Sequence, residues 1–139
     1  MKKRIVIAGV LLAMLTVTSS VFAANQDFNF YLTSGGASQH SALTLKSGGD
    51  AYENSWYVTP KSSYNGVTSN LIQGSETVRF RCRDAAGNSV SDLHSEHYYG
   101  SYNYAYTTTS VGNAYYYLYA DKPSSDPYSA LRLVGTWCP

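Results

Sequence analysis

Residues 75–84 read "SETVRFRCRD", and their alternation decides the class of fold. Val78, Phe80 and Cys82 fall on one side; Thr77, Arg79, Arg81 and Arg83 fall on the other. A period of two belongs to a strand with one face in the core and one in water. The same period recurs to both sides. "DFNFYLT" (27–33) aligns Phe28, Phe30 and Leu32, and "SALTLK" (41–46) aligns Leu43 and Leu45. "ENSWYVT" (53–59) aligns Trp56 and Val58, and "YSALRLVGTW" (128–137) aligns Leu131 and Leu133. Between these runs lie the turn signals "SGGAS", "KSGGDA", "YNG", "DAAGN", "SVGN" and "KPSSDP".

No window after the first 24 residues offers an apolar stripe of helix length. The expectation is an all-β chain, an antiparallel β-sandwich of about seven to nine strands, because such faces bury sheet against sheet. Trp56 and Trp137 are expected as plugs between the sheets.

The start of the chain reads differently. "MKKR" is basic, "IVIAGVLLAMLTV" is apolar but short for a membrane span, and "TSSVFAA" supplies small residues for cleavage. Residues 1–24 therefore read as a signal peptide, and 25–139 as one exported domain. Removing Lys2, Lys3 and Arg4 from the 10 basic residues leaves 7 against 9 acidic ones. That balance, with no basic face or basic amphipathic helix, argues against nucleic acid and against stable membrane insertion once the leader is gone. Cys82 and Cys138, in an exported chain, are expected to form one disulfide. Closing a loop of roughly 55 residues, it would contribute on the order of 4 kcal/mol.

Nine of the 14 tyrosines crowd into residues 95–120, "SEHYYGSYNYAYTTTSVGNAYYYLYA". Tyr102, Tyr104 and Tyr106 share one side of a strand, with Asn103, Ala105 and Thr107 opposite. Tyr115, Tyr117 and Tyr119 share a side of the next, with Ala114, Tyr116, Leu118 and Ala120 opposite. Gly112-Asn113 suits a hairpin turn between them. An even loop would place both trios on one face; an odd loop or a bulge would set the first trio beside Tyr116 and Leu118. Rings on a strand surface suit two roles. They strengthen cross-strand packing, and they offer flat area with a hydroxyl handle for a sugar ring or a protein partner. A third outcome, edge-to-edge stacking of neutral strands, would make a self-associating matrix protein.

No catalytic constellation accompanies them, and none that calls for a cofactor. His94, Glu96 and His97 with Asp92 read as polar residues beside a turn rather than a metal site, since positions three apart on a strand face opposite ways. His40 falls in a loop without a nucleophile elbow. Glu53, Glu76 and Glu96 are spread among strand edges rather than paired across a cleft. Cys82 faces the core. Arg79, Arg81 and Arg83 form a stripe suited to an anion, such as phosphate on an envelope polymer.

"VRFRCRDAAGNSV" resembles the strand–turn–strand near the end of bacterial immunoglobulin-like domains. The leader, the alternating start, the late tyrosine-rich segment and the closing "LVGTW" resemble small secreted proteins of Gram-positive bacteria. Some of these are similar to the lactococcin-972 class of bacteriocins, which fold as a compact two-sheet sandwich. The resemblance implies a secreted, non-enzymatic protein acting on a cell-envelope glycan or surface protein.

Overall fold

The computed structural model describes residues 25–47, 53–108, 111–128 and 130–139. The leader read in residues 1–24 lies outside them. Eleven strands follow in chain order: β1 (Gln26–Thr33), β2 (Gln39–His40), β3 (Thr44–Lys46), β4 (Ser55–Lys61), β5 (Ser63–Tyr64), β6 (Val67–Thr68), β7 (Val78–Asp84), β8 (His94–Glu96), β9 (Tyr102–Ala105), β10 (Ala114–Asp121) and β11 (Ala130–Cys138). No helix occurs among the described residues, and every pair of strands is antiparallel. The number exceeds the expected seven to nine because three strands are two-residue pieces. Of these, β2 is part of a broken edge, and β5 and β6 form a separate hairpin. That hairpin turns on Asn65 (φ 49°) and Gly66 (φ 76°), the left-handed pair that a two-residue turn demands.

The first sheet has the order β1-β11-β4-β9. The second runs β2-β10-β7-β8, with β3 also pairing to β10. Alternation assigns their inner faces. Phe28, Phe30, Leu32, Trp56, Val58, Leu131, Leu133 and Trp137 come from the first sheet; Val78, Phe80, Cys82, Tyr116, Leu118 and Ala120 come from the second. These residues form a single core cluster, and the Phe28 and Phe80 rings meet across it at 6.3 Å. Trp56 and Trp137 are fully buried, as expected of core plugs. Gly135 is glycine for want of room. A Cβ there would run into the Thr59 carbonyl and the Phe28 ring.

Three expectations need correction. The first concerns "SALTLK". Thr44 and Lys46 are the buried positions, whereas Leu43 is 41% exposed and Leu45 is half-buried. The Lys46 ammonium donates to the Ser55 and Pro139 carbonyls, both at 2.9 Å. A lysine at the end of a strand can bury its stem when backbone acceptors meet its tip.

The second concerns the cysteines. Cys82 and Cys138 form no disulfide. Parity supplies the reason. Cys82 points into the core from β7. Cys138 follows core-facing Trp137 by one residue, so it stands on the opposite face of β11. A chain that buries Trp137 turns Cys138 away.

The third concerns the tyrosines. β9 and β10 do not make a hairpin. β9 pairs with β4 at the edge of the first sheet, and β10 pairs with β7 inside the second. The segment between them changes sheets. Gly112 and Asn113 (φ 53°) do form a turn, but it leads into β10 without closing a ladder. The crossing buries Tyr106 and Tyr116, whose rings lie 5.2 Å apart in the core. A hairpin confined to one sheet would forgo that burial.

Candidate functional site

The sheet change separates the tyrosines into two sets. Tyr102 and Tyr104 stand half-buried on the core side of β9, and Tyr106 is buried just beyond it. Tyr104 stacks on His94 at 3.8 Å with the ring planes 8° apart, lies 5.0 Å from Trp56, and donates its hydroxyl to the Glu96 carboxylate. Tyr102 donates to the Tyr98 carbonyl at 2.9 Å. These rings close the side of the molecule where β9 and β8 end the two sheets. Burial pushes the Tyr104 and Tyr106 hydroxyls well above the ordinary phenol range. It also pushes the Cys82 thiol up to about 12, which keeps it protonated and unreactive.

The remaining trio faces solvent. On β10, Tyr115, Tyr117, Tyr119 and Asp121 alternate with buried Tyr116, Leu118 and Ala120. Across the ladder on β7, Arg83 sits opposite Tyr117, Arg81 opposite Tyr119 and Arg79 opposite Asp121. On the other side of β10, His40 stands opposite Tyr119 and Leu45 opposite Tyr115. The result is a sheet face with a row of rings beside a row of guanidinium groups. The alternation that buries Val78, Phe80 and Cys82 puts all three arginines on it.

The contacts within this face are specific. The Arg83 guanidinium carbon lies 4.3 Å over the Tyr119 ring, a cation–π contact. Arg79 pairs with Asp121 at 2.5 Å, and Arg81 donates to the Ser89 hydroxyl at 3.1 Å. His40 touches Tyr117 edge-on at 5.0 Å and Tyr119 at 5.2 Å. Tyr117 and Tyr119 stand at right angles, 6.1 Å apart. Tyr115 is 50% exposed. Among the described residues neither Arg81 nor Arg83 has a carboxylate partner. Their Nε atoms are shielded from water and make no hydrogen bond. A shallow depression of about 60 Å³ lies beside them, lined by the three arginines, Ser38, Leu93, Tyr119, Ala120 and Asp121, the acid paired with Arg79. Two uncompensated cations beside aromatic faces can receive an anion and a flat ring together.

The opposite outer face differs. Over β1 and β11 lies the β5–β6 hairpin, whose Tyr64 and Val67 cover Val134, and Ser69 bonds the Val134 N–H at 3.0 Å. A second hollow of about 220 Å³ opens there between Phe28, Tyr64 and Val67, with no cation lining it.

The other polar residues singled out in the sequence do not gather. His94 is half-buried against Tyr104 and Trp56 rather than placed beside a turn. Burial lowers its pKa, against the opposing pull of Asp92 and Glu96. His97 lies by the Thr77 hydroxyl (3.3 Å) and the Glu76 carbonyl (3.1 Å). No group of three potential metal ligands occurs among the described residues. Glu53 accepts a hydrogen bond from the Tyr57 hydroxyl. His40 lies in strand β2, not in a loop. Glu76, read as a strand-edge residue, is fully buried. The sequence held no sign of that, because the cation that meets it, Lys122, lies 46 positions further on. No helix among the described residues is long and apolar enough to cross a membrane.

No protein-family model, curated protein or solved structure matches the chain.

Proposed function

We propose that this is a secreted, non-enzymatic β-sandwich protein that binds a cell-envelope glycan, or a surface protein that displays one. Its working surface is the outer face of the second sheet: Tyr115, Tyr117 and Tyr119 with Arg79, Arg81 and Arg83. The observation that carries this reading is the register of β7 against β10, which sets the guanidinium row beside the ring row on one open face. Sugars present flat apolar faces edged with hydroxyls, and tyrosine matches both at little entropic cost. Arg81 and Arg83 add recognition of the phosphate or carboxylate groups that envelope polymers carry. Tyr102, Tyr104 and Tyr106 are left to structure. The bacteriocin-like form of the proposal rests on the resemblance in pattern, and growth inhibition by the purified exported domain tests it.

The binding test is co-sedimentation with isolated cell envelopes, comparing wild type with Tyr117→Ala and Arg83→Ala. Binding is expected to fall roughly tenfold in each variant, the loss of a single ring or charge contact. Equal binding by all three proteins would move the function off this face.

A second reading, self-association into a matrix, is favoured by β1. It is an eight-residue strand at the edge of the first sheet, with Tyr31 60% exposed. Sedimentation velocity distinguishes the two. Concentration-dependent polymers support the matrix, and a monomer supports recognition.

A further inference from the structure

Lys122 continues the inward alternation of β10 after Leu118 and Ala120, and it is 1% exposed. Its ammonium lies 2.6 Å from Glu76 Oε1 and 2.7 Å from Asp126 Oδ1. All three side chains are at most 1% exposed. One ammonium between two carboxylates leaves a net negative charge out of water, which is costly. Binding one proton removes it.

The two acids are not equivalent. Asp126 Oδ2 accepts the Thr77 N–H at 2.6 Å, and Oδ1 accepts the Tyr128 N–H at 2.9 Å. Burial pushes this carboxyl up, but Lys122 and the two N–H groups outweigh it and hold it below the usual range. Glu76 accepts one backbone N–H, from Ile72 to Oε2 at 2.9 Å, and its Oε1 meets Lys122. With two backbone N–H donors against one, Asp126 is the better-held carboxylate, which leaves Glu76 as the acyl side of the cluster. A carboxylic acid, a lysine and a carboxylate base then stand together in a dry site.

We propose that Lys122 and Glu76 condense to an intramolecular amide, with Asp126 as the base. The Asp126 carboxylate takes a proton from the Lys122 ammonium; the pull of Lys122 that holds Asp126 low ends with that transfer, and burial then favours the neutral acid. The freed Nζ lone pair attacks Cδ of the Glu76 acid, forming the C–N bond. The Ile72 N–H bears on Oε2, where negative charge develops. Asp126 returns its proton to the departing Oε1 hydroxyl, the C–O bond breaks and water leaves. Asp126 then takes a proton from the nitrogen, which keeps one hydrogen as an amide. The triad begins and ends neutral, loses one water and needs no other reactant. Fixed proximity replaces the encounter that makes amide formation in water unfavourable.

The product ties the end of β10 to the segment entering β7, across 46 residues of chain. It is a covalent staple of the kind that Cys82 and Cys138 do not provide.

Intact mass of the purified protein under denaturing, reducing conditions tests this without relying on any variant to fold. Wild type is expected one water lighter than its sequence from the observed N-terminus. Digestion is expected to yield a branched peptide joining Lys122 to Glu76. Lys122→Arg and Glu76→Ala are expected at full mass, and Asp126→Asn is expected to form the bond slowly or not at all. A wild-type protein at full sequence mass would overturn the proposal, as would a water loss retained in Lys122→Arg. A branch at Asp126 in place of Glu76 would overturn the choice of acceptor. Bond formation at the wild-type rate in Asp126→Asn would remove the assigned base.

Discussion

Two tyrosine trios, a few residues apart and spaced identically, do opposite things. Tyr102, Tyr104 and Tyr106 turn inward from the edge of the first sheet. Tyr115, Tyr117 and Tyr119 turn outward from the middle of the second. The difference lies in what alternates with them. Asn103, Ala105 and Thr107 intervene in the first trio, so the rings are its most apolar face and go to the core. Tyr116, Leu118 and Ala120 intervene in the second, and that set outcompetes the trio for burial. An amphipathic residue takes the side its neighbours leave free.

That comparison can be broken most severely at Tyr106. Tyr106→Ala removes a buried ring and is expected to cost about 3–5 kcal/mol of stability in urea unfolding. A loss similar to that of a surface tyrosine would mean the ring is not in the core. Tyr104→Ala, which strips a half-buried ring from His94, Trp56 and Glu96, is expected to cost about 2 kcal/mol. A smaller effect comes from His94. Its folded pKa lies below the unfolded value because burial disfavours the cation. The unfolded chain then binds more protons, so this contribution is whole above the unfolded pKa and is lost as pH falls towards the folded one. Urea midpoints at about pH 7.5 and about pH 5.5 should diverge in wild type and converge in His94→Phe. Equal divergence in both would assign the effect elsewhere. Least of all, Tyr117→Ala and Arg83→Ala should change stability by about 0.5 kcal/mol or less, as surface substitutions do. Their envelope binding should fall all the same, and a large loss of stability in either would make the outer face structural.

Much of this architecture can be read from alternation alone. Phe28, Phe30, Leu32, Trp56, Val58, Val78, Phe80, Leu131 and Leu133 are core residues in the sequence and in the fold. So is the outward set of arginines, because it is fixed by the same parity. Strand partnership is not legible in that way. Each strand carries its own period but nothing that names its neighbour, so β9 and β10 look like a hairpin until the burial of Tyr106 and Tyr116 is weighed. The cysteines are a different case. Trp137 is expected to face inward and Cys138 follows it by one residue, so parity already speaks against the bridge, and the expectation of a disulfide rests on compartment alone. Lys46, Glu76 and Lys122 escaped for a further reason. A buried charge depends on acceptors brought from far along the chain, and no local pattern announces it.

Tyrosine-selective chemical labelling, mapped by mass spectrometry on the folded protein, tests the parting of the two trios most directly. Tyr115 should label fastest, followed by Tyr117 and Tyr119, while Tyr104, Tyr106 and Tyr116 stay protected until the chain is unfolded. Labelling of Tyr106 at the rate of Tyr115, or protection of Tyr115, Tyr117 and Tyr119 in the isolated monomer, would contradict the assignment of β9 and β10 to different sheets and with it the binding face.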